Sequence, residues 1–221
     1  MALDGPSGAG KSTLAKAVAK ELGILYVDTG AIYRALGVAA RRRGVDPHDE
    51  AAVTALLPEV EIALRHGEDG LQRMYLNGED VTEAIRLPEI SMYASAVSAQ
   101  PAVRAFLLEM QRALARQQSV IMDGRDIGTV VLPDAQVKIF LTASAEKRAE
   151  RRFLELEQKQ PGVQTYEEVL ADVIRRDKQD TEREIAPLRK AEDAVLVDTT
   201  NADLDQSEEM MLAVCREKLG I

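Results

Sequence analysis

Nine consecutive residues near the start of the chain, Gly5-Pro6-Ser7-Gly8-Ala9-Gly10-Lys11-Ser12-Thr13, carry the clearest chemistry in the sequence. They match the pattern G-x-x-x-x-G-K-[ST] in full. Glycines reach backbone angles closed to other residues, so successive N–H groups can turn toward a single anion. A helix beginning near Lys11 adds its positive end at the same point. Lys11 is then placed to reach the β- and γ-phosphates of a nucleotide, and the Ser12 hydroxyl to complete a Mg²⁺ shell. A glycine-rich turn that merely opens a helix would have no use for the Lys-Ser pair. The stretch implies a bound nucleotide and leaves its fate open between hydrolysis, in a switch or motor, and transfer to a small acceptor. A guanine switch is expected to show Asn-Lys-x-Asp and Asp-x-x-Gly, and neither string occurs.

Arginines supply the remaining candidates. Arg176, Asp180 and Arg183 are spaced i, i+4, i+7, which puts them on one face of a helix. Such a face can be a solvated ion-pair stripe, but arginine binds phosphate oxygens in a two-pronged fork and aspartate accepts from sugar hydroxyls. Asp123-Gly124-Arg125-Asp126-Ile127-Gly128 follows an apolar run, and ligands bind at the C-terminal ends of strands in doubly wound sheets. Arg148, Arg151 and Arg152 form a third cluster, for which exposed helical charge is an equal reading. The run Arg41-Arg42-Arg43-Gly44 reads as cations at a helix C-terminus with glycine just beyond.

The elements that must position these residues can be read from periodicity. Lys11 to Leu22 is helical with Leu14, Ala15, Val18, Ala19 and Leu22 on one side, ended by Gly23. Ile24–Val27 reads as a buried parallel strand. Asp28-Thr29-Gly30 breaks it, and a second helix is expected to carry Tyr33 and Arg34 in its first turn. Residues 49–57 form a short helix stopped by Pro58. Pieces at 61–65, 72–76 and 80–82, separated by Gly67, Gly70 and Asn77-Gly78, predict an antiparallel meander inserted into an alternating strand–helix pattern. Pro88 and Pro101 open helices that run to about Ala99 and Gln117. Core strands follow at 120–123, 137–141 and 194–198, with helices at 145–159 and 166–183 between the last two. Thr165 with Glu168 predicts a capping box, and Asp205 with Glu208 a second one for a final helix ending near Leu219. Only four residues precede Gly5, where a buried strand of about five is usual. Either that strand is short or the natural start lies upstream.

The fold class that results is α/β: a P-loop NTPase-type three-layer sandwich with a five-stranded parallel sheet, helices on both faces and a small antiparallel β-rich insert. At 221 residues the chain can bury a substantial core. Hydrophobic content of 46% and charged content of 29% are ordinary for a globular protein. A net charge of −9 argues against a general nucleic-acid binder. The single cysteine, Cys215, allows no intramolecular disulfide, and neither a membrane-spanning run nor a signal-peptide pattern is found. A cytoplasmic monomer with no nucleic-acid or membrane partner is expected.

The glycine loop together with Asp28-Thr29-Gly30-Ala31-Ile32-Tyr33-Arg34, Asp123-Gly124-Arg125-Asp126-Ile127-Gly128-Thr129 and Arg176-Asp177-x-x-Asp180-x-x-Arg183 closely resembles bacterial cytidylate kinase. The resemblance covers essentially the whole chain, insert included. The first motif alone is generic, and the other three in order are specific. The resemblance implies one nucleoside monophosphate kinase unit over 1–221: a core at about 1–28, 118–143 and 184–221, a monophosphate-binding region at about 29–117 with its insert at 59–87, and a lid at about 148–164. It implies pyrimidine metabolism, with ATP and CMP or dCMP giving ADP and CDP or dCDP, assisted by Mg²⁺. Gly5 to Thr13 then bind ATP. Arg34, Arg125 and Arg183 hold the CMP phosphate, with Thr29 and Tyr33 beside them. Arg176 and Asp180 make the ribose site, and Ser95, Arg104 and Asp126 read cytosine. Arg148, Arg151 and Arg152 are similar to lid arginines, with Arg148 and Arg152 the catalytic pair alongside Lys11. Asp123 is the candidate for the Mg²⁺ water shell with Ser12. Thr29 stands where serine is common, and the short first strand could weaken the seating of the loop. Two other readings are a P-loop kinase for another acceptor, such as UMP or shikimate, and a nucleotide-binding regulatory module without transfer activity.

Overall fold

Three residues before the glycine loop suffice for a strand. In the computed structural model, which describes residues 1–67 and 71–221, β1 (Ala2–Asp4) pairs on both sides and is buried throughout. The order continues α1 (Lys11–Leu22), β2 (Leu25–Asp28), α2 (Thr29–Arg42), α3 (Glu50–Leu56), β3 (Ile62–His66), β4 (Gln72–Leu76), β5 (Glu79–Asp80), α4 (Pro88–Ser98), α5 (Pro101–Gln117), β6 (Val120–Gly124), β7 (Lys138–Thr142), α6 (Ala145–Lys159), α7 (Tyr166–Glu182), β8 (Val195–Asp198) and α8 (Leu204–Leu219). The five-stranded parallel sheet runs β2-β6-β1-β7-β8, and a second, antiparallel sheet has the order β3-β4-β5. Both sheets are as the sequence predicts. Gly70 lies outside the described residues.

The chain divides into two compact units, 1–25 with 119–221, and 26–118. In the first, β1 pairs in parallel with β6 and β7, so that Leu3 lies opposite Asp123 and Ile139. α1 packs on β6 and α8. α6 and α7 pack together over Ala149, Val169 and Val173, with the rings of Phe153 and Tyr166 edge to face. The second unit has its own apolar core, from Ile32 and Leu36 on α2 through Met74 and Leu76 on β4 to Ile90 on α4 and Leu107 on α5.

Four local details depart from expectation. Asp28 caps α2 by accepting from the Ala31 N–H, so the helix starts at Thr29, and Tyr33 and Arg34 fall in its second turn. Pro58 sits inside a single 3-10 turn, Leu57–Glu59, rather than ending α3 directly. α7 stops at Glu182, and Arg183 turns off it into extended backbone, so it leaves the helical face of Arg176 and Asp180. The cap of α8 is Asp203 with Gln206, not Asp205 with Glu208.

Candidate active site

The glycine loop joins β1 to α1 under tight steric control. Gly5 has φ +153°, and a Cβ there would lie 2.0 Å from the Leu141 carbonyl oxygen of β7. Only glycine passes that close to another backbone. Gly10, in the left-handed region, is the N-cap of α1, and no side chain occupies the cap. Glycine brings no side chain to accept from the first N–H groups of α1, the arrangement that favours an anion.

Lys11 is buried, with Nζ donating to the Pro6 carbonyl at 2.7 Å. Burial pulls its ammonium down to about 7, and the positive charge of Arg125 pulls in the same direction, against Asp123 and Asp180. A phosphate restores the balance by adding negative charge where cations are crowded. Ser12 donates from Oγ to Asp123 Oδ2 at 2.8 Å, and Asp123 is buried at the end of β6. A hydroxyl beside a buried carboxylate is a hard-oxygen donor set and suits Mg²⁺.

The loop after β6 and the end of α7 bring four of the predicted acceptor residues into two pairs. Arg125 donates from Nε to Asp180 Oδ2 at 2.6 Å. Arg183 faces Asp126 at 3.4 Å and donates from Nε to the Ala186 carbonyl at 2.6 Å. Arg176 is on the same helix as Asp180, and burial lowers its guanidinium below the ordinary value. In the unit 26–118, Arg34 pairs with Asp28 at 2.5 Å, and Thr29 is buried beside that cap. Arg104 lies over the Tyr33 ring at 5.7 Å and donates to the Ser98 carbonyl, while Ser95 is exposed on α4.

The three arginines of α6 do not act as one cluster. Arg148 is buried against the glycine loop, donating to the Ser7 carbonyl at 2.9 Å. Arg151 donates to the Thr199 carbonyl at 2.8 Å, and Arg152 is exposed and faces Glu155 at 3.3 Å. Adjacent Arg151 and Arg152 point about 100° apart, whereas Arg148 and Arg152, one turn apart on the same side, differ in depth, Arg148 being buried and Arg152 exposed.

Sequence reasoning missed two carboxylates. Asp4, in the middle of the sheet, accepts from the Ile127 and Gly128 N–H groups at 2.7 Å each. Asp177 pairs with Arg148. An acidic residue inside a buried strand was a signal for the first. The second stood inside a sequence motif but without a role, because its partner lies 29 positions away.

The family model described as cytidylate kinase matches residues 1–217. The chain belongs to the cytidylate kinase family. Cytidylate kinase of Caldicellulosiruptor bescii is 52% identical over 206 residues, which cover 93% of this chain and 90% of that protein. Cytidylate kinase of Geobacter sulfurreducens is 49% identical over 218 residues, with 99% and 93% covered. Among solved structures, an uncharacterized protein from Eubacterium ventriosum superposes with a TM-score of 0.51 at 14% identity, covering 98% of this chain and 97% of that one, a likeness of fold alone. Membership of the cytidylate kinase family makes the chain a nucleoside monophosphate kinase with ATP as phosphoryl donor.

Proposed function

We propose that the chain transfers the γ-phosphoryl group of ATP to CMP or dCMP, giving CDP or dCDP and ADP, as a step of pyrimidine nucleotide metabolism. The family match across residues 1–217 carries this reading. The donor loop supports it, since Gly5 to Thr13, Lys11 and the Ser12–Asp123 pair are built for a nucleoside triphosphate.

Transfer is direct and in line, with no covalent enzyme intermediate, because phosphoryl transfer asks for positioning and charge neutralisation more than for a protein nucleophile. The loop N–H groups and Lys11 hold the donor phosphates. Ser12 and Asp123 would hold Mg²⁺, which when bound would supply positive charge against the donor phosphates. Arg34, Arg125 and Arg183, with Thr29 and Tyr33, are assigned to the CMP phosphate, and Arg176 and Asp180 to the ribose. Ser95, Arg104 and Asp126 are assigned to cytosine, whose exocyclic amine donates while its carbonyl and ring nitrogen accept. The CMP phosphate is itself the nucleophile and is ionised near neutral pH. Arg148 and Arg152 are assigned to the transferring group, on a lid at about 148–164 that keeps water from taking it. Core segments at about 1–28, 118–143 and 184–221, a monophosphate-binding region at about 29–117 and its insert at 59–87 complete the assignment. A cytoplasmic monomer without nucleic-acid partners belongs to the same proposal. Among the described residues no helix is long and apolar enough to cross a membrane.

A coupled assay of ADP formation with CMP, dCMP, UMP and AMP tests the reading. CMP or dCMP should exceed UMP and AMP in kcat/KM by about a hundredfold, since buried polar groups made for one base are left unpaired by another. A better rate with UMP or AMP overturns it. So does ATP binding with no acceptor-dependent ADP release.

A further inference from the structure

Helix α7 carries two carboxylates three residues apart, and each holds an arginine from a different element. Asp180 accepts from Arg125, on the loop after β6. Asp177 takes Arg148 of α6 in a two-pronged pair, Nη1 to Oδ1 at 2.9 Å and Nη2 to Oδ2 at 2.5 Å. Residues at i and i+3 are neighbours on a helix surface, so one displacement of α7 moves both carboxylates together.

Arg148 reaches further than this pair. Its Nε donates to the Ala143 carbonyl, just past β7, at 2.9 Å, and its Nη1 also donates to the Ser7 carbonyl of the glycine loop. The residue after Ser7 is Gly8, where a Cβ would come within 3.3 Å of the Arg148 Cβ. The Arg148 side chain is 5% exposed. A guanidinium is planar and its donors are fixed in a fork, so a shift that keeps the Asp177 pair changes the Ser7 contact. One rigid group thus spans α7, the end of β7 and the donor loop.

Stability alone is a poor account of this arrangement. A buried ion pair often adds little to folding relative to apolar packing, whereas its geometry constrains what it touches. We propose that Asp177 is a positioning residue that ties α7 to the donor loop through Arg148, so that CMP held by Arg176 and Asp180 tightens the binding of ATP. The inference rests on the assignment of Arg176 and Asp180 to CMP made above.

The test is a coupling measurement on the full chain. Affinity for a non-hydrolysable ATP analogue is titrated calorimetrically with and without saturating CMP, in the wild type, Asp177→Asn and Asp177→Ser. Asparagine keeps the volume but replaces one acceptor oxygen with a donor and removes the charge, and serine removes the pair. CMP should tighten the analogue about fivefold or more in the wild type, and by less than about twofold in either variant, with melting confirming that the variant is folded. A structural brace alone would leave that ratio unchanged. Wild-type tightening in a folded variant overturns the proposal, as does a wild type that uses CMP without any tightening. Failure of both variants to fold also overturns it, by making Asp177 a folding residue. If the wild type releases no ADP with CMP, the functional reading fails and the inference falls with it.

Discussion

Asp4 is an acidic residue in the middle of a buried strand, and the two N–H groups it accepts from explain why it is tolerated there. Burial pushes its carboxyl up to about 6, against the opposing pull of the Gly128 and Ile127 donors. The sign of the pH dependence follows. Below the ordinary value of 3.8 the group is neutral in both folded and unfolded chains, and above about 6 it is charged in both. The stability it contributes is therefore full below 3.8 and is lost as pH rises through about 6, by on the order of 3 kcal/mol. Asp4→Asn cannot titrate. Urea unfolding at pH 4, 5, 6 and 7 should show wild-type stability falling relative to Asp4→Asn across that range, and parallel curves would contradict the assignment. A second residue-scale prediction concerns Arg183, which is fixed by Ala186 and Asp126. On its proposed role at the CMP phosphate, Arg183→Ala removes a charge-assisted contact worth about 1.5–3 kcal/mol. Steady-state kinetics should show KM for CMP rising about 10- to 100-fold while KM for ATP stays within about threefold. Equal losses on both substrates would remove Arg183 from the CMP site.

At the scale of elements, the C-terminal helix shows what a local pattern can decide and what it cannot. Asp203-x-x-Gln206 and Asp205-x-x-Glu208 both have the spacing of a capping box. The structure uses the first, with Asp203 accepting from the Gln206 N–H at 2.8 Å and Gln206 accepting from the Asp203 N–H at 3.0 Å. Ser207, Met211, Leu212 and Cys215 must all be buried, and tertiary packing rather than spacing selects that start. Asp203→Ala should cost about 1 kcal/mol in chemical denaturation, and Asp205→Ala should stay within about 0.5 kcal/mol. The reverse order would reinstate the capping box expected from the sequence. For α7 the box at Thr165 and Glu168 was legible because the turn at Pro161-Gly162 leaves it no competitor. The run Arg41–Arg43 reads from sequence as charge at a helix end. In the structure each arginine takes its own glutamate, Glu89, Glu79 and Glu59 in turn, at 2.8 Å. These pairs are exposed, so water and salt screen them and they add little to stability.

Over the whole molecule, fold class was legible because strand and helix periods alternate along nearly the entire chain, and the Asn77-Gly78 turn marks the interruption. The shape of the glycine loop was legible for a related reason, since its residues are consecutive and a short segment encodes its own conformation. What remained hidden depends on distance along the chain. Asp4 meets Ile127 across 123 positions, and Arg148 meets Asp177 across 29, so no spacing rule announces either contact. The two units, 1–25 with 119–221 and 26–118, each close their own core, and the second is inserted between segments of the first. The fold as a whole would serve one reaction, the direct passage of the terminal phosphoryl group of ATP to CMP. Incubating the enzyme with γ-³²P-ATP and CMP, then separating products and protein, tests it most directly. Label is expected in the β-position of CDP, dependent on CMP, with none retained on the protein. Label appearing as inorganic phosphate whether or not CMP is present, or held covalently on the chain, would contradict it.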